Sequence, residues 1–147
     1  MRLTMYTDFS LRVLIYLGAK EPGELSTVQE ISDTYNISKN HLTKVVHELG
    51  KMGLIETIRG RGGGIRMKVE PKDINVGKLV RRMEDDFHLV ECFNSESNSC
   101  ILSPVCRLKG ALHEALNAYL AVLDNYTVAD FIINKDELKA ILFDHPL

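Results

Sequence analysis

The chain predicts a mainly α fold with one small β-hairpin, a winged helix-turn-helix followed by a long dimerisation helix. Three observations predict it. Two short amphipathic segments, opened by Thr27 and by Ser38, are separated by a tight turn. A Gly/Arg-rich stretch, Arg59-Gly60-Arg61-Gly62-Gly63-Gly64, follows them between two short apolar runs. An apolar stripe at helical spacing then extends from Val105 to Leu123.

The length of 147 residues suits one compact unit with an appended pairing arm. We expect a winged module over 1–83, a cysteine-rich loop over 84–108, and a dimerisation helix with C-terminal helices over 103–147. The net charge of −2 hides a split. Residues 1–83 hold 14 Lys/Arg against 9 Asp/Glu, a net of +5, and residues 84–147 hold 4 against 11, a net of −7. A basic front half suits a polyanion partner, and the acidic rear half does not. No apolar run approaches a membrane span and the N-terminus lacks a signal-peptide layout, so the expected location is the cytoplasm.

In chain order, Tyr6, Phe9, Val13, Tyr16 and Leu17 share one stripe of a first helix that begins at Thr4 or Thr7 and ends at Ala19. Asp8 and Arg12 lie one turn apart on another face, the spacing of an i,i+4 ion pair. Glu21-Pro22-Gly23 breaks the helix. Ser26 with Gln29 and Thr27 with Glu30 both offer capping boxes for a second helix. Ser38 is the expected cap of a third, Lys39 to Met52, with Leu42, Val45, Val46 and Leu49 inward. Its outward face carries Asn40, Thr43, Lys44, His47 and Lys51, with Lys39 and His41 near its start. Such side chains read base edges or grip phosphates. Taken alone, this polar stripe could equally be a solvated face.

The hairpin sharpens the case. Leu54–Ile58 and Ile65–Val69 read as strands, and the glycines between them permit positive φ. Arg59 and Arg61 at the tip suit a narrow minor groove, where the negative potential is strongest. No Lys-Ser or Lys-Thr follows the glycines, so a nucleotide-binding P-loop is excluded. Asn75 can cap a helix to Met83. Ser103-Pro104 resembles a helix start, followed by the stripe Val105, Leu108, Leu112, Ala115, Leu116, Tyr119 and Leu123. A helix this long most simply packs on its copy in a second chain. Thr127 caps a short turn to Ile133, and a last helix runs from Lys135 to Phe143.

All three cysteines, Cys92, Cys100 and Cys106, fall within one loop in a C-x7-C-x5-C pattern. In a reducing compartment an odd, clustered set favours metal, cluster or redox chemistry over a structural disulfide. Zinc more often uses close Cys-x2-Cys pairs, absent here. An iron–sulfur cluster tolerates irregular spacing but needs about four ligands, so an outside group must complete the set. Cys106 falls in the first turn of a helix, where the dipole favours thiolate. A polar Asn/Ser-rich loop argues against three cysteines serving only as core hydrophobes.

The segments YTDFSLRVLIYL (6–17) and SKNHLTKVVHELGKMGLIETIRGRGGGI (38–65), with the three-cysteine loop, resemble the nitric-oxide-sensing members of a bacterial winged-helix regulator family that also contains IscR and CymR. The resemblance covers essentially the whole chain. It implies a homodimer with one iron–sulfur cluster per subunit, a [4Fe-4S] cluster held by Cys92, Cys100, Cys106 and Asp8 of the partner subunit. It further implies a repressor of genes for nitric oxide detoxification and for nitrite or anaerobic respiration, released from DNA by nitric oxide. IscR-like members carry a histidine ligand three residues after the last cysteine, where this chain has Lys109, and CymR-like members lack the cysteines. Glu91 and Glu84–Asp86 are further oxygen donors near the loop.

The leading expectation is thus a cluster-containing repressor that binds a palindromic double-stranded DNA operator. Ser38, Lys39, Asn40, His41 and Lys44 would enter the major groove, and Arg59 and Arg61 the minor groove, with half-sites one or two helical turns apart. Arg12 would act as a switch by pairing with Asp8 when the cluster is absent. A sensor of iron–sulfur supply or thiol oxidation is the alternative in the same class. A small iron–sulfur redox protein is the alternative in another, although Cys-x-x-Cys is absent. No nucleophile–base pair or dinucleotide fingerprint suggests an enzyme.

Overall fold

The computed structural model describes residues 2–144; the last three residues of the expected 103–147 segment lie outside the described residues. Helix α1 (Met5–Ala19) starts at Thr4, whose side chain accepts the Thr7 N–H, and ends as Lys20 turns extended ahead of Pro22-Gly23. Helix α2 (Val28–Tyr35) opens on a complete capping box, with Thr27 Oγ1 accepting from Glu30 N–H at 3.1 Å and the Glu30 carboxylate accepting from Thr27 N–H. Asn36 stops α2 in the left-handed region at φ 52°, a conformation Asn tolerates better than most residues. That turn delivers the chain into α3 (Lys39–Lys51), which buries Leu42, Val45, Val46 and Leu49.

Strands β1 (Ile55–Ile58) and β2 (Gly64–Met67) pair antiparallel, with Ile55 opposite Met67 and Ile58 opposite Gly64. Ile55 and Ile65 are their buried residues, so the base of the hairpin is anchored and its tip projects. A 3-10 turn at Pro71–Asp73 leads to α4 (Val76–Met83), capped by Asn75, whose side chain accepts from Lys78 N–H at 2.9 Å. The chain then runs through the cysteine loop to α5 (Arg107–Asp124), a 3-10 turn at Val128–Phe131, and α6 (Lys135–Leu142). No helix of the described residues is long and apolar enough to cross a membrane.

Two apolar clusters hold these elements. The larger joins Val13, Leu14 and Leu17 of α1 to Ile31 of α2, the inner face of α3, Ile55, Ile65 and Leu79. The smaller joins Val76 and Val80 of α4 to Leu116 and Leu120 of α5, and Phe87, Leu89 and Phe93 pack against it. Helix α4 therefore belongs to both, with Leu79 turned to one and its neighbours to the other. Removing such side chains from water is the main stabilising term, about 1.5–3 kcal/mol for each one fully buried.

Polar contacts fix how the parts meet. Glu84 Oε1, at the end of α4, accepts hydrogen bonds from Thr4 N–H (2.9 Å), from Thr4 Oγ1 (3.0 Å) and from the fully buried Thr7 hydroxyl. Arg81 forks onto Asp124 at the end of α5, and the pairing draws the Asp124 carboxyl below its ordinary range. Gly77 leaves the room for this pair, since a Cβ there would overlap Asp124 Oδ1. At the C-terminal end, Val128 and Ile132 are buried, with Ile132 close to Gly18 of α1. Phe143 meets Tyr16 edge-on at 5.0 Å, so the last helix also straps onto α1.

Four expectations change. Ser26 makes no capping box: its backbone bridges Ile65 of β2, while its buried hydroxyl has no partner among the described residues. Ser38 occupies the N-cap position of α3 but makes no side-chain cap bond. Ser103-Pro104 does not open α5. The Ser103 hydroxyl is taken by Asn98, turns occupy the next residues, and Cys106 becomes the N-cap. The predicted stripe is correspondingly only partly inward: Leu116 is buried, but Val105 is 80% exposed and Leu108 65%.

Glu84→Ala would take the carboxylate from the buried Thr7 hydroxyl and leave it only the Thr4 hydroxyl 3.2 Å away, and urea unfolding should show a loss of about 1–3 kcal/mol. Gly77→Ala should lower the thermal midpoint by displacing Asp124, while Lys78→Ala on the exposed side of α4 should not.

Candidate nucleic-acid interface and metal-ligand loop

The solvent face of α3 is built by elimination. Its apolar positions are consumed by the core, so Ser38, Lys39, Asn40, His41, Thr43, Lys44 and His47 all stand exposed. Part of the solvent side of α3 is already committed. The Thr43 hydroxyl donates to the Lys39 carbonyl at 2.8 Å, and Lys51 pairs with Glu48 at 2.8 Å. Ser38, without a cap bond, keeps its hydroxyl for an outside partner. The predicted quintet Ser38, Lys39, Asn40, His41 and Lys44 is thus exposed around the N-terminal end of α3. Oriented N–H groups and a positive helix end also favour anions there.

The hairpin extends from the same module. Gly60 and Gly62 hold φ of 97° and 74°, which an L side chain adopts only with strain. Gly63 meets a different limit, because a Cβ would sit 2.1 Å from the Ile58 carbonyl oxygen. The tight tip leaves Arg59 and Arg61 exposed. Arg66, by contrast, is bound to Glu56 at 2.7 Å and is not a free charge. Two backbone bonds between Ser26 and Ile65, at 2.9 and 2.7 Å, fasten the hairpin to the start of α2. The base of the hairpin is thereby tied to the helix-turn-helix, with the tip projecting beyond it.

The cysteine loop has little regular structure beyond a 3-10 turn at Glu91–Phe93, yet it is well tied. Phe93, next to Cys92, stacks flat on His113 of α5 with ring centres 3.8 Å apart. Asn98 accepts from Cys100 N–H at 3.1 Å and bonds Ser103, closing the middle of the loop. Cys106 Sγ accepts from Lys109 N–H at 3.4 Å, the place of an N-cap oxygen. All three thiols are free and half-buried. The structure does not gather them into a closed set: no three His, Cys, Asp or Glu side chains converge on a metal position among the described residues.

Four of the other oxygen donors, Asp8, Glu84, Asp86 and Glu91, are otherwise engaged. Asp8, on α1, pairs with Arg12 at 2.8 Å, the ion pair expected from the spacing. Glu84 is held by Thr4 and Thr7, Asp86 accepts the His88 N–H, and Glu91 accepts from Ser99. Reading the sequence missed the Glu84 contact with Thr4 and Thr7. No local pattern marks it, since the partners stand nearly eighty positions apart.

A family model described as an iron-dependent transcriptional regulator, Rrf2, matches residues 3–134. The regulator named NsrR from Shouchella clausii is 61% identical over 142 residues, covering 97% of this chain and 95% of that protein. The one from Bacillus subtilis is 59% identical, covering 97% of each. Both are similar along essentially their whole length and are named transcriptional regulators rather than enzymes. Among solved structures, the oxidized form of Staphylococcus aureus CymR superposes with a TM-score of 0.71 at 26% identity, over 87% of this chain and 93% of that one. IscR of T. potens shares the fold, with a TM-score of 0.73 at 20% identity, over 95% of this chain and 91% of that one. A helix-turn-helix with its wing, a three-cysteine loop and a match from residue 3 to residue 134 lead to one conclusion: the chain belongs to the Rrf2 family of iron-dependent transcriptional regulators.

Proposed function

We propose that this regulator is a homodimeric repressor whose DNA binding depends on a [4Fe-4S] cluster, one per subunit, and is relieved by nitric oxide. Its targets would be genes for nitric oxide detoxification and for nitrite or anaerobic respiration. The observation that carries the reading is the set of three free, half-buried cysteines on one tied loop between the winged module and α5. The similar proteins named NsrR supply the context.

The donors fit such a group. Three thiols outside any disulfide match the soft ligands iron–sulfur clusters take. Cys106, at the N-cap of an 18-residue helix, already accepts the Lys109 N–H. When bound, the cluster supplies iron open to attack by nitric oxide. Cys92, Cys100 and Cys106 would hold it, and Asp8 of the partner subunit would complete the set. A carboxylate is a weaker, more exchangeable ligand than a thiolate, so this fourth position is the natural one to lose. Supply from the other protomer ties one chain's loop to its partner's first helix. Arg12 would take back the carboxylate when it is released. Dimerisation agrees with α5, on which Leu108 and Val122 remain exposed while Leu116 and Leu120 are buried.

For DNA, Ser38, Lys39, Asn40, His41 and Lys44 would enter the major groove of a palindromic operator, and Arg59 and Arg61 would lie in the minor groove. The free hydroxyl of Ser38 and the exposed arginines support this assignment. Phosphate contacts would give affinity that falls with salt, and base contacts would give sequence choice.

The double variant Arg59→Ala/Arg61→Ala should weaken operator binding about tenfold or more in gel shifts while the fold stays intact; full retention would sink the wing assignment. Anaerobically reconstituted protein should show iron, sulfide and a broad visible absorbance that nitric oxide changes. Asp8→Ala should alter that spectrum and its nitric oxide response. Release of DNA by thiol oxidants or cluster loss, with no response to nitric oxide, would favour a sensor of thiol state or cluster supply.

A further inference from the structure

A half-open cleft of about 530 Å³ lies where three parts of the chain meet: the end of α1 with the Glu21–Glu24 turn, the stretch from Met67 to Lys72 that leaves the wing, and the segment from Ala129 to Lys135. None of its lining residues belongs to α3 or to the cysteine loop. The volume falls within the roughly 300–1,000 Å³ usual for small-molecule sites. Leu17, Met67, Val69, Pro71 and Ile132 give it an apolar wall. Leu17 and Ile132 are buried, while Met67, Val69 and Pro71 are half-buried and face the opening. The back of the cleft is shut where α1 comes close to its neighbours. A Cβ on Gly18 would stand 3.2 Å from Ile132 Cδ1 and 3.5 Å from Pro71 Cγ.

The charges around this wall do not cancel. All three lining carboxylates are already answered, Glu24 by Lys20 at 3.2 Å, Glu70 by Lys72 at 2.8 Å, and Glu21 by Lys139 from outside the cleft. Lys20 is committed further, since its ammonium lies 5.6 Å from the Tyr16 ring centre and 5.1 Å from that of Phe143. Lys68 and Lys135 form no ion pair among the described residues. Lys139, and more weakly Lys135, hold the Glu21 carboxyl below its ordinary range, yet only Lys139 bonds it. Two ammonium groups are thus left over at the edge of an apolar wall. An inorganic anion would leave that wall in water, and a neutral apolar molecule would leave the ammonium groups unanswered.

We propose that this cleft binds a small organic acid, its apolar body against Met67, Val69 and Ile132 and its carboxylate taken by Lys68 and Lys135. Occupancy would brace the strand that leaves the wing, because Lys68 directly follows β2 and donates its N–H to the Leu54 carbonyl at 2.9 Å. The site uses neither the cysteines nor Asp8, so it stands or falls apart from the cluster reading.

The full-length chain is labelled with methyl-13C methionine and titrated with octanoate, and the Met67 methyl resonance is assigned through Met67→Leu. Octanoate should shift that resonance saturably and leave in place the resonance of Met5, exposed at the start of α1. Acetate, the charge without the body, should bind at least about tenfold more weakly. 1-Octanol, the body without the charge, should bind about fivefold more weakly. Lys68→Gln/Lys135→Gln should bring octanoate down to the level of octanol and leave octanol unchanged, while Lys78→Gln on α4 should alter neither. Both substituted lysines end in solvent-facing ammonium groups, so the fold is kept. An absent or unsaturable Met67 shift, an equal shift at Met5, octanol binding as tightly as octanoate, or unchanged octanoate affinity in the double variant would each overturn the proposal.

Discussion

The burial of α1 is the constraint on which the rest depends. Val13 and Leu14 are fully enclosed, and the helix packs against α3, α4, α6, β2 and the 3-10 turn at Val128–Phe131. A helix surrounded in this way cannot slide without disturbing both apolar clusters, because native interiors are close-packed. Leu11 touches both clusters and marks where the winged module and the α4–α5 pair share a wall. Only the first turns of α1 keep polar residues near solvent. Asp8 and Arg12 stand there, beside a Thr7 hydroxyl that has to be satisfied inside the protein.

That hydroxyl explains the role of Glu84. A buried hydroxyl without a partner is costly, and one carboxylate oxygen answers Thr7 and Thr4 together. Glu84 is also the residue at which α4 ends and the cysteine loop begins. The start of α1 and the start of the loop are therefore joined by a single side chain. Together with Phe93 stacked on His113 and Asn98 closing the loop's centre, it holds a segment of little regular structure in a definite path. A loop of this kind can present thiols without the rigid spacing that a helix or strand would impose.

The interface side of the molecule follows a different logic. The wing tip is shaped by backbone limits, positive φ at Gly60 and Gly62 and lack of room at Gly63, and its arginines gain exposure from that tightness. The α3 face is shaped by the core, which takes the apolar positions and leaves the polar ones outside. Lys39 and Lys44 on α3 and Arg59 and Arg61 on the wing are exposed members of the basic excess of residues 1–83.

By itself the sequence determined the elements whose signals are local. The Thr27–Glu30 capping box, the Asn75 cap, the inner face of α3 and the glycine hairpin were all legible, because each interaction closes within a few residues. The clustering of the three cysteines and the Asp8–Arg12 spacing were legible for the same reason. Tertiary structure alone decided where a plausible local signal would yield to a better partner. Ser26 surrendered its capping role to a backbone bridge with Ile65, and Ser103 gave its hydroxyl to Asn98, so the helix waited for Cys106. It alone decided the Thr7–Glu84 bond, the space at Gly77 for Asp124, and the seat of Arg12 between Phe9 and Tyr35. Periodicity and capping register neighbours along the chain; these contacts join residues that only packing brings together.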